Sequence, residues 1–173
     1  PGWLFLACLL AITLTGPMAI HMFLPAIPAV GKAFNVAQPT AQSTFSIALF
    51  TMAFATLLYG SLSDRFGRRP VLLAGLVMFT LGGAISIYAP NIPTLLAGRV
   101  LQGAGAACGV VLARAMLRDV FGLDRLTQAI AYLTAAYVLG PMFAPILGGA
   151  LIDLFDWRAE FIFGAVAGAG LTV

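Results

Sequence analysis

Long apolar runs separated by short polar stretches divide this chain from one end to the other. Each full run is close to the ~20 residues that an α-helix needs to cross the hydrocarbon layer of a membrane. The pattern predicts an all-α polytopic membrane protein with spans at 3–24, 44–62, 71–88, 94–112, 129–151 and 161–173. The sixth run is too short to span and the sequence opens on Pro1, so we expect a piece of a longer protein.

The composition supports a lipid environment. Of the 173 residues, 61% are hydrophobic and 9% are charged, whereas soluble domains carry about 25% charged residues. A secretory signal peptide is the alternative for the first run, but that run has no basic leading region and is too long. Cys8 and Cys108 lie in separate predicted spans and are interpreted as small apolar packing residues.

The basic residues are unevenly placed. The loop at 63–70 holds Arg65, Arg68 and Arg69, and the segment after the fourth span holds Arg114, Arg118 and Arg125. The other loops are poor in basic residues or rich in acids. Because Lys and Arg collect in short cytoplasmic loops, the pattern places these two segments and the amino terminus in the cytoplasm. Their alternation with spans indicates topology, so no nucleic-acid partner is expected.

A short motif occurs twice. GSLSDRFGRR at 60–69 and GALIDLFDWR at 149–158 share five positions and close the second and fifth spans. This predicts a duplicated unit of three helices, and an odd number of helices inverts the second copy. The charges agree, since 64–69 sums to +2 and 153–160 sums to −2. Inverted repeats of this kind are typical of transporters with a central binding site.

Two ionisable residues, His21 and Arg99, lie well inside the five complete spans. At 1.5 Å per residue, His21 lies ~10 Å below Pro28 and Arg99 ~9 Å below Pro93, so both share one depth. Such residues normally face a cavity or a partner. Arg99 is interpreted either as a cavity-facing functional residue, with Gln102 on the same face, or as a structural arginine that bonds backbone carbonyls of a neighbouring helix.

His21 also has two interpretations. Its imidazole either titrates during transport, as its ordinary pKa allows, or stays neutral and is satisfied by a nearby hydroxyl or carbonyl. Thr13, Pro17, His21 and Pro25 recur every four residues and therefore share a helix face. Gly16-Pro17 predicts a break in the first span. A break in lipid persists where it is buried or faces water, so this face is expected to line the substrate cavity, with helix packing as the alternative.

Small residues recur every four positions in the fifth span, at Ala136, Gly140, Ala144 and Gly148. This spacing lets another helix approach closely, and Pro141 and Pro145 add a bend. Static packing is the interpretation that the spacing itself supports.

These motifs resemble the major facilitator superfamily. GSLSDRFGRRPVLL resembles its loop two–three signature, LAGRVLQGAGAA at 96–107 its Arg-x-x-Gln-Gly motif, and LGPMFAPILGG at 139–149 the Gly-Pro-rich motif of its antiporters. With FLPAIPAV, the set is similar to the Bcr/CflA type of drug:proton antiporter. The resemblance implies the N-terminal six-helix bundle, two inverted three-helix repeats, of a twelve-helix protein of the bacterial inner membrane. Two departures are His21, where relatives usually carry an acid, and Thr56, where they often carry Gln.

The resemblance also implies site residues. A cytoplasmic gating loop would comprise Gly60, Asp64, Arg65, Gly67, Arg68, Arg69 and Asp119. Asp64 would cap a helix of the other half, and Arg65 or Arg68 would meet an acid near the end of the fourth span, for which Asp119 is the candidate. Gly60 and Gly67 are expected to allow the tight turn. The antiporter motif would comprise Gly140, Pro141, Pro145, Gly148 and Gly149, and the resemblance implies that this seam helps to seal the resting antiporter against leak.

The implied function is proton-coupled efflux of small lipophilic compounds by alternating access, with Thr13, Pro17, His21, Arg99 and Gln102 in the proton and substrate cavity. No cofactor is expected, because a proton gradient would supply the energy. The expected partners are a small-molecule substrate, protons, membrane lipid and the C-terminal half. An uptake symporter or facilitator is the alternative. An intramembrane enzyme or metal site is disfavoured by the single histidine, and a structural scaffold by the broken helix and buried pair.

Overall fold

The computed structural model describes residues 2–121 and 123–172, excluding the side chains of 123–125. Within these ranges seven α-helices follow one another: α1 (Gly2–Met22), α2 (Ile27–Ala33), α3 (Gln38–Phe66), α4 (Arg68–Ile87), α5 (Ile92–Val120), α6 (Leu123–Leu154) and α7 (Ala159–Gly170). A short 3₁₀ turn, Leu24–Ala26, joins α1 to α2. The predicted all-α fold class is confirmed. Val173 and the side chain of Arg125, which entered the span and charge predictions, lie outside the described residues.

In the part of the chain that the structure describes, five stretches are long and apolar enough to cross a membrane: Gly2–Ala33, Gln38–Phe66, Arg68–Ile87, Ile92–Val120 and Leu126–Leu154. Helix α7 is apolar but shorter. The helices α3 and α5 have 29 residues each and therefore extend beyond the apolar runs predicted for them. The extra turns carry polar side chains. They remain helical because a helix satisfies its own backbone hydrogen bonds and need not end where the apolar run ends.

Helix α5 forms the centre of the bundle and packs against α1, α3 and α4. Its glycines allow very close approach. A Cβ at Gly103 would lie 2.3 Å from the Ala48 carbonyl oxygen of α3, and one at Gly105 would lie 2.3 Å from the Phe79 nitrogen of α4. Small residues at a membrane helix interface let backbones approach in this way. The GAGAACG run of the fourth predicted span is therefore the packing surface for three neighbours.

The predicted break at Gly16-Pro17 is wrong. Helix α1 continues through Pro17 to Met22, and the irregular backbone begins later, at the 3₁₀ turn that contains Pro25. Proline removes one hydrogen-bond donor, which neighbouring helices can compensate. At this level α1 lies directly on α5, since a Cβ at Gly16 would be 2.7 Å from the Ala106 carbonyl oxygen. Helix α1 therefore stays unbroken at Pro17, where it packs on α5.

The connection between α3 and α4 is a single residue, Gly67. Its φ of 93° and ψ of 151° lie in a region that is essentially restricted to glycine, so the prediction for this glycine is confirmed. The prediction for Gly60 is wrong, because Gly60 lies inside α3 and an added Cβ would meet nothing within 4 Å. Asp64 and Arg65 accordingly end α3, while Arg68 and Arg69 begin α4.

Candidate functional site

A fully buried arginine lies inside the bundle. Arg99 of α5 has 0% of its surface exposed. Its Nε donates to the Thr44 carbonyl of α3 at 3.2 Å, and its Nη1 donates to Gln102 Oε1 at 2.8 Å. The guanidinium carbon lies 4.4 Å from the ring centre of Phe23 and 5.5 Å from that of Phe161. Arg99 therefore connects α3 and α5 to the aromatic end of α1 and α7.

This geometry matches the structural interpretation of Arg99, since a carbonyl of a neighbouring helix accepts one of its hydrogen bonds. The cavity-facing interpretation requires exposure that Arg99 and Gln102 lack, because both are enclosed by the residues described. Delocalised charge and a flat shape suit arginine to such a position, where it can stack on aromatic rings and donate in its own plane.

The predicted polar face of α1 is mostly buried. Thr13 and Pro17 are enclosed, and Thr13 donates its hydroxyl hydrogen to the Leu9 carbonyl of its own helix at 2.7 Å. His21 is half-buried, with its Nδ1 2.8 Å from the Pro17 carbonyl oxygen and its ring edge-on to Phe45. The prediction that all four residues line an open face is therefore wrong for Thr13 and Pro17. A carbonyl satisfies the imidazole, as the neutral interpretation of His21 expected.

A polar cluster joins three helices at the end of the bundle where α3 meets α4. Arg68 Nε donates to Asp119 Oδ2 of α5 at 3.1 Å. The Nη1 of the same arginine donates to Ser63 Oγ at 2.6 Å and to Asp64 Oδ1. Of the two arginines that the sequence offered as partners for Asp119, the structure selects Arg68. Asp64, which the resemblance implied as a helix cap, accepts from Arg68 within the described residues.

The seam of small residues on α6 packs against α1. A Cβ at Gly148 would lie 2.1 Å from the Met22 carbonyl oxygen, and one at Gly140 would lie 2.6 Å from Leu14 Cδ2. Pro141 and Pro145 lie within the continuous helix α6. The close approach expected from the four-residue spacing is present, and α1 is the helix that makes it. Gly149, by contrast, has nothing within 4 Å of an added Cβ.

The sequence matches the family model described as Major Facilitator Superfamily over residues 8–173. This chain belongs to the Major Facilitator Superfamily. It is 34% identical over 167 residues to Multidrug resistance protein D of Escherichia coli (strain K12), covering 96% of this chain and 42% of that protein. It is 31% identical over 166 residues to the Bicyclomycin resistance protein homolog of Haemophilus influenzae, covering 96% of this chain and 42% of that protein. The chain thus spans less than half the length of these curated relatives.

Solved structures of the superfamily share the fold. The POT family transporter PepTSo superimposes with a TM-score of 0.83 at 18% identity, over 99% of this chain and 37% of that one. The human organic anion transporter MFSD10 (TETRAN) gives a TM-score of 0.74 at 21% identity, over 99% of this chain and 46% of that one. At these identities the likeness shows the fold alone. With its apolar helices, this superfamily member is an integral membrane protein.

Glu160 is a buried acid that the pattern of apolar runs does not predict. In the sequence it is one of the charges of the segment 153–160, but it lies in the first turn of α7 and is 2% exposed. Neither of its carboxylate oxygens has a hydrogen-bond partner among the residues that the structure describes. Its position one residue before the apolar run FIFGAVAGAG was the available signal, since an acid there can occupy a helix amino terminus.

Proposed function

We propose that this chain forms the amino-terminal bundle of a proton-coupled exporter of small lipophilic compounds, which works by alternating access in the bacterial inner membrane with its amino terminus in the cytoplasm. One observation carries the proposal: relatives described as multidrug and bicyclomycin resistance proteins match the chain over 96% of its length at 31–34% identity. The fold itself is common to transporters that carry other substrates, so it supports transport without selecting the substrate.

The bundle supports a division between rigid and mobile parts. Backbone-to-backbone contacts through glycines hold α5 to α3 and α4, so these helices are expected to move as one body. The remaining half of the transporter would then rock against this body, as in other transporters built from repeats. The substrate would bind between the halves, near the bilayer midplane.

The cluster around Arg68 suits a latch at the cytoplasmic end. Arg68 contacts α5 through Asp119 and α3 through Ser63 and Asp64. Asp64 keeps 67% of its side chain exposed, so it is available to a second partner from the other half. Its role would be to stabilise the state that is closed to the cytoplasm, with Arg68 holding it in place.

The latch is tested by Asp64→Asn, which keeps the shape and removes the charge. We expect the protein to favour the state open to the cytoplasm, since the contact with the other half weakens. Single cysteines placed in the cytoplasmic half of the cavity should react faster with a membrane-impermeant maleimide in Asp64→Asn than in the parent. The matched control is Asp153→Asn, an exposed acid near the opposite end of the bundle. Equal reaction rates in Asp64→Asn and the parent would refute the latch.

Transport itself is tested by reconstituting the intact protein in liposomes and imposing a pH gradient. A panel of fluorescent lipophilic dyes should be moved against its concentration gradient toward the side of higher proton concentration, and a protonophore should abolish the movement. Dye movement that ignores the gradient would contradict proton coupling.

An uptake symporter is the second candidate, because a structure described as the proton:xylose symporter XylE shares the fold with a TM-score of 0.78 at 16% identity, over 97% of this chain and 43% of that one. The same liposomes distinguish the two candidates. A symporter would move substrate with the protons, whereas the proposed exporter moves it against them.

A further inference from the structure

The buried surroundings of Arg99 contain two polar groups that lack a hydrogen-bond partner among the described residues. Arg99 Nη2 has no partner among the described residues, and within the same ranges neither carboxylate oxygen of Glu160 has one. Both side chains are almost completely buried. Buried polar groups in folded proteins are nearly always paired, so each exception requires an explanation.

The two groups have opposite charges when both are ionised, and each acts electrostatically on the other. The two residues lie near each other, because Phe161 follows Glu160 in α7 and the Phe161 ring centre lies 5.5 Å from the guanidinium carbon of Arg99. Even so, the ion pairs formed by the described residues, at up to 4.0 Å, do not include Arg99 with Glu160. The pair is therefore enclosed together and open in this conformation.

The buried carboxylate of Glu160 can lose its unfavourable unpaired state in two ways. The carboxylate can close on the free Nη2 of Arg99, or it can take up a proton and become neutral. Burial strongly disfavours a charge without a partner, so the carboxylate is expected either to contact Arg99 or to become neutral. The two states therefore differ in whether Glu160 of α7 contacts Arg99 of α5. Closure would pull the amino terminus of α7 toward α5, and protonation would release it.

We propose that Glu160 is the group that binds the transported proton, with Arg99 as its counter-charge. This inference rests on the proposed function, because it assigns the proton site of the proposed exporter. It also accounts for the absence of the acid that the resemblance expected in the first span, where this chain has His21. The proton carrier lies on α7 in place of the first span.

The neighbours of Glu160 leave Arg99 as its main electrostatic partner. Helix α7 packs against α1, α4 and α6. The titratable groups at this end of those elements are His21 on α1, Tyr88 after α4 and Asp153 on α6, and the chain just before α7 adds Asp156 and Arg158. His21 is occupied by the Pro17 carbonyl, and Arg158 donates to Asp156 and to the Ile87 carbonyl. Tyr88 and Asp153 are exposed.

The proton balance is simple. Glu160 lies at the end of the bundle that the charge pattern predicts to be external, so its carboxylate takes one proton from the external solution and becomes a carboxylic acid. The same proton leaves after the bundle opens to the cytoplasm, which regenerates the carboxylate and allows it to close on Arg99. One positive charge enters for each such cycle.

A labelling experiment tests the site without transport. The intact protein in detergent is treated with dicyclohexylcarbodiimide, which is apolar and adds to protonated carboxylic acids, and modified peptides are mapped by mass spectrometry. We expect Glu160 to be modified at low pH and spared as the pH rises, with Asp153 as the exposed reference acid. If Glu160 stays unmodified at every pH at which the protein is folded, the proposal is overturned.

Liposome transport with Glu160→Gln separates this inference from the proposed function. The variant should lose efflux driven by a pH gradient yet retain exchange of labelled for unlabelled substrate, which needs no net proton movement, and Asp153→Asn should behave as the parent. Gradient-driven efflux by Glu160→Gln at the parental rate overturns the site while leaving the exporter intact. If the parent itself ignores the gradient, the proposed function fails, and the labelling result then decides whether Glu160 binds a proton at all.

Discussion

The contact between α6 and α1 at Gly148 gives the sharpest test of the packing. A methyl group at this position would lie 2.1 Å from the Met22 carbonyl oxygen and 2.9 Å from the carbonyl carbon. Folded proteins essentially never bring a Cβ closer than 3.0 Å to another heavy atom, and both contact atoms are backbone, which cannot rotate away. In Gly148→Ala the two helices must therefore separate.

The expected cost of this separation is about 1–3 kcal/mol, the usual range for an overpacked interior. At about 2–4 °C per kcal/mol for a chain of this size, the melting temperature should fall by several degrees. Alanine is a better helix former than glycine by about 0.8–1.0 kcal/mol, which works against the loss. The measured decrease in melting temperature therefore gives a lower limit for the free-energy cost of separating the two helices.

The assay is thermal unfolding of the purified protein in detergent, followed by tryptophan fluorescence or by light scattering. Gly149→Ala is the matched control, because the next residue of the same helix has open space around it and should melt at or above the parental temperature. Gly140→Ala should fall in between, since its contact is the end of the flexible Leu14 side chain. Equal melting temperatures for Gly148→Ala and Gly149→Ala would refute the proposed contact.

Three further predictions follow from the described contacts. Gly67→Ala should lower the melting temperature, because its backbone angles cost other residues about 1–3 kcal/mol, whereas Gly60→Ala in the helix interior should be neutral or stabilising; a neutral Gly67→Ala would contradict the turn. Arg99→Gln should destabilise by about 3–5 kcal/mol, because it removes the positive charge that acts on the buried Glu160, and adding Glu160→Gln should recover part of the loss in the same melts; strict additivity would argue against an interaction between the two residues. His21→Gln should keep gradient-driven efflux in liposomes; loss of that efflux would indicate that His21 binds the transported proton.

Particular residues show how far sequence reasoning extended. The positions of the apolar helices, the glycine turn at Gly67 and the choice of Asp119 as a partner were all available from pattern or resemblance. The burial of Glu160 was not, because an acid just before an apolar run can begin a helix and still remain exposed until that helix is packed. The break at Gly16-Pro17 was predicted wrongly because proline lowers helix propensity locally, while packing on α5 is a property of the bundle.

The amino-acid pattern alone is enough to identify a helical membrane protein, since the length of an apolar run decides whether lipid can surround it. The motifs around Asp64, Arg99 and Gly140 likewise indicate the family. Which helix faces meet becomes known from the folded bundle. The enclosure of Arg99 against Phe23, the selection of Arg68 by Asp119 and the burial of Glu160 beside Arg99 all depend on helices brought together from distant parts of the chain, and no single helix carries that information.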